Sequence, residues 1–335
     1  MAFDSQLPTK EPDSKKLSII IVTWNCRVHI SNCLESLQRL RLENFETIIV
    51  DNHSTDGTSE FLSEIDTETR NKLGLKVLFQ NFNGGLSQAT DLAVRVSSGK
   101  WLLSCNPDII FNEDLKKMLE YAQLHDFPIL APQLITIDGT PQYCMRRFTF
   151  TRLFFNLTRL GRILGRIFAQ DFFGRDLYYN YESFLKPVLV EHPVASFFMI
   201  NRDAVRQLGF LFSLDLPIYF GDTDLFSRAQ TQKMRMVFLP AIKVTHRIGY
   251  AGTILHPEVQ QFMFTNSMIR YASKWASFPR MLTLLVVVDA ILAPLSHARL
   301  PSKVEILCSA FRLKGAILTD FSQSGPIGLH SEEPK

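Results

Sequence analysis

The 335-residue chain lacks paired cysteines, a long apolar run and a strong charge of either sign. Its five cysteines, Cys26, Cys33, Cys105, Cys144 and Cys308, are odd in number, scattered and without a CxxC pair. That pattern excludes a disulfide framework, argues against a structural zinc site and points to reduced thiols in a cytosolic compartment. A formal net charge of +3 is too small to imply nucleic acid by itself, and no nucleic-acid recognition module accompanies the arginines. The first sixteen residues, MAFDSQLPTKEPDSKK, hold no apolar run of signal-peptide length and read as a disordered leader, 1–16. The strongly apolar run Met281 to Leu295 is short against the ~20 residues of a bilayer span and carries Asp289 and Pro294. Such a run argues against a simple transmembrane helix and permits an interfacial one.

What is present is a chain with 46% hydrophobic residues, enough for one large α/β domain with an extension. Leu17 to Val22 is a continuous, β-branched run of the kind a parallel sheet buries on both faces. Ile30 to Leu42 has apolar residues at helical spacing. A second strand, Glu46 to Val50, leads through DNHSTDGT into a helix from Ser59. A third, Lys76 to Gln80, leads through NFNGG into a helix ending near Ser98, and Lys100 to Ser104 is a fourth. Alternation of this kind predicts an open sheet with helices on both faces, with ligands beyond the carboxyl ends of the strands.

Those strand ends carry Thr23-Trp24-Asn25, Asp51-Asn52, Asn81-Phe82-Asn83-Gly84-Gly85 and Asn106-Pro107-Asp108. Each alone is ordinary turn chemistry. All four fall on one edge of the sheet, and together they favour a ligand site. Further on, YFGDTDLFSR sets Asp222 and Asp224 among aromatic residues, and taken by itself reads as a helix capped by Asp222 with Asp224 in its first turn.

The ordered series LSIIIVTWN, IIVDNHSTDGT, NFNGGLSQATDLAVRVSSGKWLLSCNPDI, RRF, VASFFMINRDAVRQLG, YFGDTDLFSR and VFLPAIKVTHRIG resembles the family 2 glycosyltransferases of GT-A fold, and within them the rhamnosyltransferase-like branch of bacterial surface-polysaccharide synthesis. The resemblance runs from Leu17 to about Tyr271. It implies a mixed α/β sheet with helices on both faces over 17–275; the apolar run and the basic residues His297, Arg299, Lys303, Arg312 and Lys314 after it read as a helical, membrane-associated extension over 276–325, with a tail, 326–335. The resemblance implies that Thr23, Asn25 and Asp51 contact the donor nucleoside. Asn52, Ser54, Asp56 and Gly57 would shape the second loop, and Asn83, Gly84 and Asn106 complete the donor side. A turn role for Asp51 stays open. Asp108 stands at the family's metal motif, with His246 beside it, for Mg²⁺ or Mn²⁺. Asp222 would be the general base in an inverting displacement, shielded by Tyr219, Phe220 and Phe226, with Asp224 and Arg228 supporting it. Gly221 departs from the family, which has glutamate there, and LGFLFSLDLPIYF departs from its usual acceptor-side turn. Arg146 and Arg147 face acceptor or phosphate.

The implied partners are a nucleoside diphosphate sugar, dTDP-rhamnose or a UDP-sugar, and a glycan or polyprenyl-linked acceptor. No nucleic acid is implied. Between the motifs, Arg152, Arg159, Arg162 and Arg166 interleave with apolar residues from Leu153 to Phe168. This basic amphipathic pattern suits peripheral contact with the cytoplasmic face of the inner membrane, or a core-packed helix with solvated arginines. Two rivals remain: a non-catalytic GT-A-like subunit that binds nucleotide sugar or a partner, and a sugar nucleotidyltransferase. The latter needs a Gly-rich basic loop that TWNCRVHIS lacks.

Overall fold

The computed structural model describes residues 16–40, 42–157, 161, 163–164, 178–179, 184–247 and 257–275. Residues 1–15 of the expected leader, most of the arginine-rich run beyond Leu157, and the apolar run, extension and tail from 276 onward lie outside the described residues. Lys16, expected in the leader, already belongs to the fold: its N–H donates to Asn44 O and its carbonyl accepts from Trp101 N.

The first half alternates strand and helix. In chain order it comprises β1 (Leu17–Thr23), α1 (Arg27–Arg39), β2 (Phe45–Asp51), α2 (Thr58–Glu64), α3 (Thr67–Leu73), β3 (Leu75–Phe79), α4 (Gly85–Val96), β4 (Trp101–Cys105), β5 (Ile109–Ile110) and α5 (Asp114–Leu124). The second half comprises β6 (Ile129–Ile135), α6 (Phe150–Leu157), β7 (Val188–Leu189), β8 (Phe197–Asn201), α7 (Arg202–Leu208), α8 (Gly221–Thr231), β9 (Met236–His246) and α9 (Pro257–Trp275). A single helix was expected from Ser59. Two form instead, because Asp66 caps a new one through Thr69 N and Gly74, at φ 53°, ends it.

The strands make one sheet in the order β3-β2-β1-β4-β8-β6-β9-β5, with β7 also on β9. β1 to β4 are parallel where they pair, so their carboxyl ends share one edge. β8 enters antiparallel between β4 and β6, which makes the sheet mixed. Period-two alternation decides which face each side chain covers. Leu17, Ile19 and Ile21 pack with Ile30, Cys33 and Leu37 of α1 and Leu115 and Met118 of α5. Ile20, Ile48 and Leu102 pack with Ala89 and Ala93 of α4 and Leu225 and Phe226 of α8. Burying each such aliphatic side chain is worth ~1.5–3 kcal/mol, so both layers of helices are held by the strands' two faces.

A third, smaller apolar cluster joins Leu153 of α6, Leu216, Phe220, and Met268, Ile269, Tyr271 and Ala272 of α9. The described part of the amphipathic segment is therefore packed on the protein through Leu153. Its Arg152 is mostly covered, donating to Arg147 O at 2.7 Å and lying 3.8 Å from Glu191.

At the opposite edge of the sheet, Glu46 is buried and accepts from Ser18 Oγ, Ser98 N and Lys76 Nζ. Burial by itself would raise this carboxyl; the bonds from Lys76, Ser18 and Ser98 hold it down at about 2.

Candidate functional site

The loops after β1 and β2 are laced together by side chains from both. Asp51 is 1% exposed; its Oδ1 accepts from Thr23 Oγ1 at 2.8 Å and Ser54 Oγ at 2.6 Å, and its Oδ2 from Ser54 N at 3.2 Å and Ser59 Oγ at 2.6 Å. Its carboxylate shapes the turn that the sequence left open as its role. Asn25, at φ 52°, accepts from Thr55 N, while its own N–H reaches Ser54 Oγ. Asp56 accepts from Arg27 N and from both the N–H and hydroxyl of Thr58. Burial opposes the ionised form of Asp56, and these donors outweigh it, holding the carboxyl below its usual range. Asn52 is buried; its Nδ2 donates to Gly85 O, and its Oδ1 has no hydrogen-bond partner.

The third loop links this donor side to the acid segment. Asn83 Oδ1 accepts from Gly85 N beside Gly84, and Gly85 sits at φ 84°. A Cβ on Gly85 would lie 2.6 Å from Pro217 O, so glycine is required by both conformation and contact. Ser87 then donates its N–H to Pro217 O and its hydroxyl to Leu216 O, fixing the chain just ahead of α8.

The fourth loop carries Asn106, whose N–H donates to Ser196 O, and Asp108, which is 4% exposed. The antiparallel ladder sets Ile109 opposite His246, and Arg247 N donates to Asp108 O. Residues 138 apart in sequence thereby meet: His246 Nε2 lies 3.2 Å from Asp108 Oδ1, an oxygen that is buried and without a hydrogen bond. A register shift between Pro132 and Gln133 of β6, where Pro132 pairs Leu239 and Gln133 pairs Lys243, lets β9 bulge before it reaches this point. The far ring nitrogen, Nδ1, is 2.8 Å from Gln142 Oε1. That oxygen only accepts, so Nδ1 donates to it and Nε2 is the ring nitrogen that faces Asp108. A ring nitrogen and a carboxylate oxygen this close can share a cation.

A divalent ion fits. Adjacent ligands on an octahedral ion with bonds of ~2.1 Å are ~3 Å apart, close to the observed separation. Among the described residues no group of three or more His, Cys, Asp or Glu side chains could hold a metal, so Asp108 and His246 would supply two positions. Ions of this kind commonly take the remaining ligands from water and substrate phosphates.

On α8 the two acids part company. The cap position is Phe220, at φ 64°, and no side chain caps the helix, so Asp222 lies inside the first turn instead of capping it. Asp222 is a quarter exposed, with Thr223 Oγ1 3.4 Å from Oδ1 and His192 Nε2 3.8 Å from Oδ2. Asp224 is fully buried. Its Oδ2 accepts from Arg228 Nε at 2.8 Å, and its Oδ1 from Lys274 Nζ at 2.6 Å and Trp275 Nε1 at 2.9 Å. Burial alone would raise the Asp224 carboxyl, but Lys274, Arg228 and Trp275 hold it below its ordinary value. Arg228 also donates to the carbonyls of Leu208, Phe210 and Leu211. Asp224 thus fastens α8 to the end of α9. At Gly221 an added Cβ would meet only van der Waals neighbours, the nearest Ser87 Oγ at 3.4 Å.

Arg146 stacks 4.5 Å over the Tyr179 ring with its buried Nε unpartnered. Arg147 is exposed, its N–H on Glu191 Oε2. Sequence reasoning missed three groups here: His192, Gln142, and Arg247, whose buried Nε is also without a partner. The VTHRIG motif contains Arg247, but the motif match drew attention to the histidine alone.

The chain matches the family described as "Glycosyl transferase family 2" over residues 18–209, more than half its length. The teichuronic acid biosynthesis glycosyltransferase TuaG of Bacillus subtilis, whose name is given as putative, is 27% identical over 37% of this chain and 50% of its own length. Across the first such relatives the match spans 20 to 50% of the relative's own length. Among solved structures, S. aureus TarS 1-349 in complex with UDP-GlcNAc superposes with a TM-score of 0.53 at 17% identity, covering 88% of this chain and 80% of that one. The mannosyltransferase PcManGT from Pyrobaculum calidifontis, in complex with GDP-Man and Mn²⁺, gives 0.52 at 15% identity, covering 94% and 79%. These structures share the GT-A fold with it. By its motifs, its strand-end loops and the extent of the match, the chain belongs to glycosyl transferase family 2.

Proposed function

We propose that the protein is an inverting glycosyltransferase that moves a sugar from a nucleoside diphosphate donor to a glycan or lipid-linked acceptor in the synthesis of a cell-surface polymer. The observation that carries this reading is the facing pair Asp108 and His246 at the edge where β1 to β4 end, with Asp222 on α8 fixed to the same edge through Ser87 and the 216–217 backbone. The names of the relatives, which make or modify wall polymers, support the acceptor class. Donors bound by structural neighbours, UDP-GlcNAc and GDP-Man, support a nucleotide sugar. dTDP-rhamnose stays among the donors to be tried.

In this reading the loops of Thr23, Asn25, Asp51, Asn52 and Asp56 hold the nucleoside, with Asn83, Gly84 and Asn106 alongside. Asp108 and His246 would hold Mg²⁺ or Mn²⁺, which when bound neutralises charge on the departing diphosphate. Asp222, open to solvent on one side, accepts the proton of the acceptor hydroxyl as it attacks the anomeric carbon; the electron pair of the broken glycosidic bond leaves with the diphosphate. Arg146 and Arg147 serve the acceptor or phosphate side. Peripheral membrane contact belongs to the same proposal. Among the described residues no helix is long and apolar enough to cross a membrane, and flotation with anionic liposomes tests the contact directly.

The test of the whole reading is a thermal-shift screen of UDP-, GDP- and dTDP-sugars with and without Mn²⁺, followed by donor turnover. A ligand at 100 times its Kd stabilises the folded state by ~2.7 kcal/mol. A metal-dependent shift with turnover supports the proposal. A shift without any turnover favours a nucleotide-sugar-binding subunit, the reading that Gly221 keeps in play. No shift with any donor overturns both.

A further inference from the structure

His192 lies in the segment between β7 and β8, 2% exposed, walled by the rings of Phe148 at 5.6 Å and Phe226 at 4.9 Å. An apolar side chain would fill such a cage without the desolvation cost of an imidazole. The ring's polar contacts are specific. Nδ1 is 2.9 Å from Pro193 O, a carbonyl that only accepts, so Nδ1 carries the proton and Nε2 is the open position. Nε2 in turn is 3.1 Å from Thr223 Oγ1, which is 3.4 Å from Asp222 Oδ1; directly, Nε2 is 3.8 Å from Asp222 Oδ2. Thr223 is buried. The hydroxyl lies between the imidazole and the carboxylate, and its one proton serves Nε2 or Asp222 Oδ1 in turn.

We propose that His192 is the positioning residue of Asp222: its Nε2 holds the Thr223 hydroxyl beside the carboxylate and receives, through that hydroxyl, the proton that Asp222 takes from the acceptor. This rests on Asp222 being the base. The proton balance closes within the three side chains. The acceptor O–H breaks and its proton goes to Asp222; Asp222 passes it to Thr223 Oγ1, whose own hydroxyl proton moves to His192 Nε2. Asp222 is left ionised and His192 is left as an imidazolium. No further reactant is needed.

The relay works only from a neutral ring. Burial pulls the His192 imidazolium below its ordinary value of 6.5, opposed by the charge of Asp222, so the ring is neutral at pH 7 and above. Asp222 on α8 is the charge that acts on the ring; Glu191, next to it in the chain, is contacted by Arg147 N and lies 3.8 Å from Arg152, and Tyr271 of α9, whose hydroxyl burial pushes up to about 12, lies edge-on to Phe148.

The experiment compares the wild type, H192Q, T223V and D222N of the full chain. Turnover of whichever of UDP-glucose, UDP-GlcNAc, GDP-mannose or dTDP-rhamnose binds is read as nucleoside diphosphate released. The wild type should lose kcat as pH falls below 6.5. H192Q and T223V should lose kcat at least about tenfold at pH 7.5 with donor KM unchanged, and H192Q should move the acid limb to lower pH, since the ionisation of Asp222 still governs it. If H192Q does not fold, T223V, which keeps the side-chain volume, decides alone. Both variants at wild-type kcat with an unchanged acid limb, beside an inactive D222N, overturn the role of His192 alone. A fully active D222N overturns the base assignment itself.

Discussion

Asp224 offers a test of how the acid helix is held, because its two cations differ in burial. The Arg228 side chain is 10% exposed and that of Lys274 is 46% exposed, while Asp224 itself is fully enclosed. In Asp224→Ala the Arg228 guanidinium keeps its three carbonyl acceptors but loses the only carboxylate it pairs with among the described residues. Removing one member of a buried ion pair costs ~3–5 kcal/mol. Lys274→Met leaves the buried Asp224–Arg228 bond intact and should cost ~1 kcal/mol or less, as expected for a pair with a solvated cation. Urea denaturation of the two variants, followed by tryptophan fluorescence and circular dichroism, separates these magnitudes. The Asp224 variant should also show the lower Tm. Equal losses in the two, or a loss below ~1 kcal/mol in Asp224→Ala, would refute the view that this carboxylate fastens α8 to α9.

Three further outcomes follow from the geometry. The folded-state value of Glu46 is lowered from 4.5 to about 2, so its contribution is present above pH 4.5 and is lost as pH falls toward 2. That fall corresponds to ~3 kcal/mol, and Glu46→Gln should flatten stability against pH across this window in acid titrations of denaturant midpoint. Gly85→Ala should destabilise by ~2 kcal/mol or more, since it meets both a positive φ and a backbone carbonyl, whereas Gly221→Ala should stay within ~0.5 kcal/mol of the wild type; paired urea curves read both. Asp108→Asn should lose the Mn²⁺-dependent part of the donor's thermal shift, because a neutral amide oxygen holds a divalent cation more weakly than a carboxylate.

The first half of the fold was legible because its signals are local. LSIIIV and ETIIV are buried on both faces, and the helices between them keep one apolar stripe, so β1, β2, β3 and β4 fall within a residue or two of their expected positions. The capping expectation for Asp222 failed because Phe220 takes the left-handed turn ahead of α8, a conformation no periodicity announces. Pairings across long stretches of chain were not legible. Lys274 and Trp275 meet Asp224 about 50 residues away, and His246 meets Asp108 only through the β5 and β9 register. His192 gave no signal at all: a single histidine in EHPVAS resembles any buried ring until Thr223 and Asp222 are set beside it. Motif order brought Asp108, His246 and Asp222 to attention. Contacts then showed Asp51 in the turn role that had stayed open beside its donor role, and Asp224 on Arg228, in the supporting role the resemblance implied.

The base assignment is tested most directly by Asp222→Asn, with donor affinity by calorimetry and donor turnover measured on the same preparation. The Asp222 side chain is a quarter exposed, so the variant should fold and bind donor within about threefold of the wild type. Its turnover should fall by ~10²–10⁴. Turnover equal to the wild type, with donor affinity preserved, would contradict the account.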